Sequence, residues 1–298
     1  MGEAMNLCLA SPFHLHGVGP AYTWRLAMSN IQTIQELLDY NDQDELSETT
    51  GIPASILHLI RLKARSMVND EVIQLEPFRM PKRKPIYLDI ETVPKWNKVW
   101  LIGLLIEDEF IQLYASDYDD EKRILSEFNQ IIRNHGERCL VTWTGFDTRV
   151  LRNRMKLHGL PVSILNTLVH MDLKLKIRRC FIFPTRGYGL KRLGTYLGYS
   201  FVNPHLDGLA VSSKYQDHIE MGNSLDPSVF EYNEDDVRVL PFIANWAEKQ
   251  CNQAELRNEE KSTENKKREL DHAGQSGSMH SVNPLRSIPY FERRTVNH

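Results

Sequence analysis

Hydrophobic positions in this chain switch from helical to strand spacing near residue 85. Upstream, apolar residues recur at helical intervals in short runs, Tyr22 to Met28, Ile34 to Asp39 and Ala54 to Val68, separated by Gly-Val-Gly-Pro, Ser-Asn and Gly-Ile-Pro breaks. This pattern predicts a small all-helical module over residues 1–70. Pro77, Pro81 and Pro85 around the basic Lys82-Arg83-Lys84 then predict an extended linker over 71–84.

From Pro85 the pattern predicts strands at Ile86 to Ile90, Val99 to Ile106, Phe110 to Ala115 and Cys139 to Trp143, with helices at Asp119 to Asn134 and Thr148 to His158. Further helices are predicted at Leu190 to Leu197 and Leu209 to Glu220, and a longer one opens at Asp226-Pro227 and runs to about Gln250. The alternation indicates an α/β domain over 85–250, a mixed sheet flanked by helices. Residues 251–298, rich in Glu, Lys, Asn, Ser and Gly, are expected to be a mostly disordered tail. Within the tail, Ile288-Pro289-Tyr290-Phe291 is a candidate docking peptide for a protein partner.

Composition narrows the class. The 298 residues are 41% hydrophobic, enough for a sizeable core, and the net charge of -3 excludes a global positive field. Any nucleic-acid binding must come from local patches. Cys8, Cys139, Cys180 and Cys251 are too scattered for a zinc knuckle or a disulfide framework, which fits a reducing cytoplasm. No apolar run approaches a membrane span and no secretory leader pattern is evident, so the expectation is a soluble, cytoplasmic chain without membrane association.

Two acids then change the picture. Asp89 and Glu91 fall inside the apolar run Ile86 to Ile90, so they emerge together on the face opposite Ile86, Leu88 and Ile90. Converging carboxylates raise each other's pKa, and a hard divalent cation between them removes the cost. Asp147 follows the strand ending at Trp143 through a Thr144-Gly145 turn, where α/β folds place functional groups. Tyr232 and Asp236, four apart, share one face of the last helix. Singly these have bland readings, as a helix cap, a core aromatic and a solvated acid. In this order they form a set.

Asp89-Ile90-Glu91, Gly145-Phe146-Asp147 and Tyr232-Asn233-Glu234-Asp235-Asp236 resemble the three motifs of the DnaQ-like, or DEDD, 3′-5′ exonucleases of the ribonuclease H-like superfamily. Tyr232, and Glu231 where the other version carries His, make the likeness one to the tyrosine type. Asp89 to Thr92 before Trp100 to Gly103, with Gly189 to Leu193 and Leu206-Asp207-Gly208, looks like the prokaryotic YprB-like or RecB-like group. The second motif departs from the family, because Thr144-Gly145 fills a shortened turn where an Asn usually stands.

The resemblance implies a ribonuclease H-like fold and a two-metal phosphodiesterase. Asp89, Glu91, Asp147 and Asp236 would hold two Mg²⁺ or Mn²⁺ ions and Tyr232 would orient water. It also implies 3′-to-5′ digestion of single-stranded DNA or of DNA 3′ ends to 5′ mononucleotides. An exoribonuclease or structure-specific nuclease, or a catalytically silent nucleic-acid-binding adaptor, is the alternative.

Arg149, Arg152, Arg154 and Lys156, then Lys174, Lys176, Arg178, Arg179, Arg186, Lys191 and Arg192, make the domain's middle basic and are candidates for phosphate contact. In the first module, Leu15-His16-Gly17-Val18-Gly19-Pro20-Ala21 with Leu26, Ile31, Ile34 and Leu37 resembles a helix-hairpin-helix. Backbone N–H groups of Gly17, Val18 and Gly19 would face a DNA phosphate. The alternative for this module is a protein-docking domain.

Overall fold

The computed structural model describes residues 9–275, and the side chains of residues 9–253. Among the described residues, those up to Cys251 form one compact unit and those after it a second.

A 3-10 turn at Pro12–His14 leads into four helices, α1 (Pro20–Met28), α2 (Ile34–Asp39), α3 (Gln43–Thr50) and α4 (Ala54–Asn69). Leu26, Ile34, Leu37, Leu46 and Leu57 are fully buried between them. Helix α2 starts on a capping box, in which Glu36 N–H donates to Thr33 Oγ1 and Thr33 N–H to a Glu36 carboxylate oxygen. Helix α3 escaped the periodicity because Leu46 is its only buried apolar residue. Its ends are nonetheless encoded: Asp42 caps it through the Asp44 and Glu45 N–H groups, and Gly51 at φ 63 stops it.

The expected linker is part of the packed structure. Its β1 (Ile73–Gln74) pairs antiparallel with Phe181–Ile182, and Phe78 is buried. Phe78 N–H reaches Cys251 Sγ at 3.0 Å, and Met80 N–H donates to Glu248. Prolines made the stretch extended, but edge pairing and one buried aromatic anchor it.

The main sheet comprises β2 (Pro85–Val93), β3 (Lys98–Ile106), β4 (Glu109–Tyr114), β5 (Cys139–Thr142) and β6 (Val169–Asp172), in the order β4-β3-β2-β5-β6. β2, β3 and β4 form an antiparallel meander, while β5 and β6 join in parallel. Between and after the strands lie α5 (Glu121–Asn134), α6 (Phe146–Leu157), α7 (Ser163–Thr167), α8 (Leu173–Cys180), β7 (Phe181–Ile182), α9 (Leu190–Tyr196), α10 (Gly208–Met221) and α11 (Ser228–Gln275). Residues 163–182 were not predicted as elements, because His170, Asp172 and the lysines and arginines of α8 interrupt the apolar pattern.

Both sheet faces are covered. Ile86, Leu88 and Ile90 pack against Ile124, Phe128, Leu151 and Met155 of α5 and α6. Tyr87 and Val141 pack on the other side with Ile177, Leu193, Val237 and Leu240. The first three motifs' strand and helices therefore meet at the β2–β5 junction, the centre of the sheet.

One buried ion cluster ties these layers. Glu121 accepts hydrogen bonds from Val99 N–H, from Arg154 Nε and Nη2 at 2.8 and 2.5 Å, and pairs with His158 Nε2 at 2.8 Å. Arg154 is therefore a buried structural cation, not one of the expected phosphate contacts, and His158 is the C-cap of α6.

Helix α11 runs on to Gln275, so the expected break near Gln250 does not occur. Ala, Leu, Glu, Lys and Arg through this stretch favour helix even without an apolar stripe. The Ile288 to Phe291 stretch lies outside the described residues. Among the described residues no helix is long and apolar enough to cross a membrane.

Candidate metal centre

Asp89, Glu91 and Asp236 present carboxylate oxygens that all lie within 4.8 Å of one another. Each arrives by a separate local rule. Strand alternation puts Asp89 and Glu91 on one face of β2, and a register irregularity follows between Glu91 and Thr92. Asp236 comes from α11, four residues after Tyr232, whose ring is 8% exposed.

Asp147 stands at the first turn of α6, buried, outside the set of three but close enough for its charge to act on both Asp89 and Glu91. The turn that delivers it is fixed by Asp172, whose carboxylate accepts from Gly145 N–H at 3.0 Å and from Leu175 N–H at 2.7 Å. Asp172 is thus a hydrogen-bonding residue that positions the turn.

The electrostatics are those of crowded anions. Burial, then the neighbouring carboxylates, pushes Asp89 and Glu91 well above the ordinary carboxylate range. Burial lifts Asp147 to about 7 and Asp236 to about 6, the latter opposed by Lys191. Burial, with Asp236, Glu91 and Asp89 nearby, also raises the Tyr232 phenol far above its usual value.

A divalent ion fits this set on two observations. The donors are all hard carboxylate oxygens, and Asp236 Oδ1 is buried with no hydrogen-bond partner.

Lys191 is drawn into the centre and away from the open basic surface. Its ammonium lies 4.1 Å from the Tyr232 ring centroid and donates to the Asn203 and Leu206 carbonyls at 3.2 and 2.5 Å. Arg149 and Arg192 are exposed, and Arg152 is half-buried with its Nε unpaired. In the N-terminal turn, Val18 is buried and its N–H is taken by Leu15 O, so it has no donor left for a phosphate. Gly17 adopts φ 76, a conformation natural to glycine.

Two supporting residues, Asn233 and Gly103, were given no role from the sequence. Asn233, fully buried, donates from Nδ2 to Asp89 Oδ2 at 2.9 Å and accepts at Oδ1 from Gln112 Nε2 at 3.2 Å. Gly103 pairs with Asp89 across the β2–β3 ladder, and a Cβ there would lie 2.2 Å from Asn233 Oδ1 and 2.9 Å from Val237 Cγ2. A glycine inside an apolar strand was the available signal, since it marks close approach of another element.

Gly103→Ala should therefore cost about 1–3 kcal/mol as an overpacked site. It should also weaken the centre's hold on a divalent ion by displacing Asn233 from Asp89. Urea unfolding and Mn²⁺ titration measured on one preparation check both; an unchanged midpoint would contradict the close approach.

Comparison with known proteins bears on the fold. The profile of the RNase_H_2 family, described as RNase_H superfamily, matches residues 86–248. No curated protein sequence matches the chain. Among solved structures, the family B DNA polymerase from the hyperthermophilic archaeon Pyrobaculum calidifontis is 18% identical with a TM-score of 0.44, covering 68% of this chain and 34% of the polymerase. The chain thus spans about a third of that protein's length. The mixed sheet flanked by helices on both faces is the RNase H-like arrangement. With the profile match extending over more than half of the 298 residues and enclosing all four acids, this chain belongs to the RNase_H_2 family of the RNase_H superfamily.

Proposed function

We propose that the chain is a divalent-metal-dependent nuclease that removes nucleotides from the 3′ end of single-stranded DNA, releasing 5′ mononucleotides. The convergence of Asp89, Glu91 and Asp236 around the unpartnered Asp236 Oδ1 carries this reading. Membership of a superfamily whose nucleases use divalent metals supports it, and the 3′-to-5′ polarity rests on the motif resemblance.

Asp89, Glu91, Asp147 and Asp236 would hold two Mg²⁺ or Mn²⁺ ions, which when bound supply a water activated for attack and charge stabilisation at the leaving 3′ oxygen. The chain's own groups do the rest. Tyr232 stays protonated because burial and three nearby acids oppose its ionisation, so its hydroxyl can donate to and orient the attacking water. Asn233 fixes the Asp89 carboxylate, and Lys191 places a positive charge beside Asp236 and Glu91. Phe146, 44% exposed and next to Asp147, offers a face on which a terminal base can stack. The N-terminal helices, read as a helix-hairpin-helix, would hold the strand near the site.

Matched 5′-labelled DNA and RNA strands, each with a free or blocked 3′ end, test the assignment. A mononucleotide ladder from unblocked DNA alone is the expected result; cleavage of RNA alone, or indifference to the block, would overturn the substrate or the polarity. Ion binding should also stabilise the fold. At Mn²⁺ concentrations about 100-fold above Kd the gain is about 2.7 kcal/mol, read as a rise in Tm that EDTA reverses.

A further inference from the structure

A second charged feature lies where the N-terminal helices meet the sheet domain. A cavity of about 460 Å³ is lined by His16, Lys63, Arg178 and Tyr188, with Glu76 the one acid on its wall. His16 comes from the turn before α1, Lys63 from α4 and Arg178 from α8. Arg192 of α9 reaches the same place: its Nη1 and His16 Nδ1 each lie 3.5 Å from where a Cβ would sit on the buried Gly187. Lys63 Nζ is 3.3 Å from the corresponding position on Gly17. Lys63, Arg178 and Arg192, from three separate helices, thus surround one space with the His16 imidazole beside them.

They are not neutralised. Among the described residues none of Lys63, Arg178 and Arg192 forms an ion pair with a carboxylate. Burial, followed by the charge of Arg178, holds both Lys63 and His16 below their ordinary pKa values. Like charges at such spacing oppose folding unless an anion joins them.

The anion's class follows from what surrounds it. Tyr188 is 7% exposed, with His16 at a ring-centroid distance of 5.4 Å and the Arg178 guanidinium 5.8 Å above the same ring, so no face is left for a base. A compact, non-aromatic anion fits. Arg192 also adjoins Lys191, whose ammonium stands over Tyr232 in the metal centre, so one helix connects the two places.

We propose that His16, Lys63, Arg178 and Arg192 form a composite phosphodiester site that grips the backbone of the same strand whose end lies at the acids. The site rests on the nuclease reading above. It spans both parts of the chain, so strand binding clamps the N-terminal helices to the sheet domain.

The test is binding without hydrolysis. Asp89→Asn protein in EDTA is titrated with labelled oligothymidylate over a range of salt, with and without the added pair Lys63→Glu and Arg178→Glu. The pair should weaken binding at least tenfold and reduce the slope of log K against log salt by about 1 to 1.5, as expected when about two phosphate contacts to a single strand are lost. The conservative pair Lys63→Arg and Arg178→Lys should retain affinity, which separates charge from misfolding. Equal affinity and slope in the Glu pair would overturn the proposal. So would inorganic phosphate protecting the wild type against heat as well as the oligonucleotide does, which would assign the cavity to a free anion. Because no catalysis is read, a chain that binds but never cleaves would refute the nuclease reading and leave this site standing.

Discussion

Asp89→Asn should reduce hydrolysis by at least about 10³-fold while raising the Tm of the metal-free chain. The two effects have one cause. Asp89 is held well above the ordinary carboxylate range by burial and by Glu91, Asp236 and Asp147, so its ionised form is repelled in the absence of a cation. Asparagine keeps an oxygen to accept from Asn233 Nδ2, now 2.9 Å from Asp89 Oδ2, and removes the charge. Without metal the variant loses repulsion. With metal it loses a ligand, so the stabilisation by Mn²⁺ should shrink. Calorimetric melts with and without the ion, beside hydrolysis rates, separate this from a packing role. If Asp89 served only the fold, the variant would melt lower under both conditions.

Glu121→Ala should cost about 3–5 kcal/mol, because it leaves Arg154 as an unpaired buried cation. Burial alone would raise the Glu121 pKa; hydrogen bonds from Arg154, His158 and Val99 N–H, with the Arg154 charge, outweigh it and hold the value below the ordinary range. A depressed folded pKa means that the unfolded chain binds the proton more readily. The contribution is therefore complete above the ordinary carboxylate range and drains away as pH falls through the folded value. Wild type and variant should differ most in stability near neutral pH and converge in acid. Since Arg154 lies on α6, which carries Asp147 in its first turn, activity should fall along with stability. Urea midpoints measured across acidic and neutral pH check this; a constant difference would contradict the linkage.

How far the sequence revealed these features depended on locality. Strand alternation placed Asp89 and Glu91 together, and helical spacing put Tyr232 and Asp236 on one face, because both are periodic properties of a single element. The strands from Ile86 to Ala115 and the helices with strong apolar stripes were legible for the same reason. Helix α3, with Leu46 as its one buried apolar residue, and the strand β6, interrupted by His170 and Asp172, carried too little periodicity. Asn233 and Gly103 support Asp89 through contacts between α11, β3 and β2, and no spacing within one element encodes them. Arg154 looked like part of a basic surface because its partner Glu121 lies far away in sequence. The 71–84 stretch read as a linker from its prolines, whereas burial of Phe78 decided its place.

The most direct measurement of the central claim is digestion of a 5′-labelled single strand by the purified wild-type chain and its Asp89→Asn variant, with Mg²⁺, with Mn²⁺ and with EDTA. The account predicts a nucleotide ladder from the wild type in at least one of the two ions, none in EDTA, and none from the variant. Cleavage that persists in EDTA or in the variant, or a wild type inert with both ions on DNA and RNA alike, would contradict it.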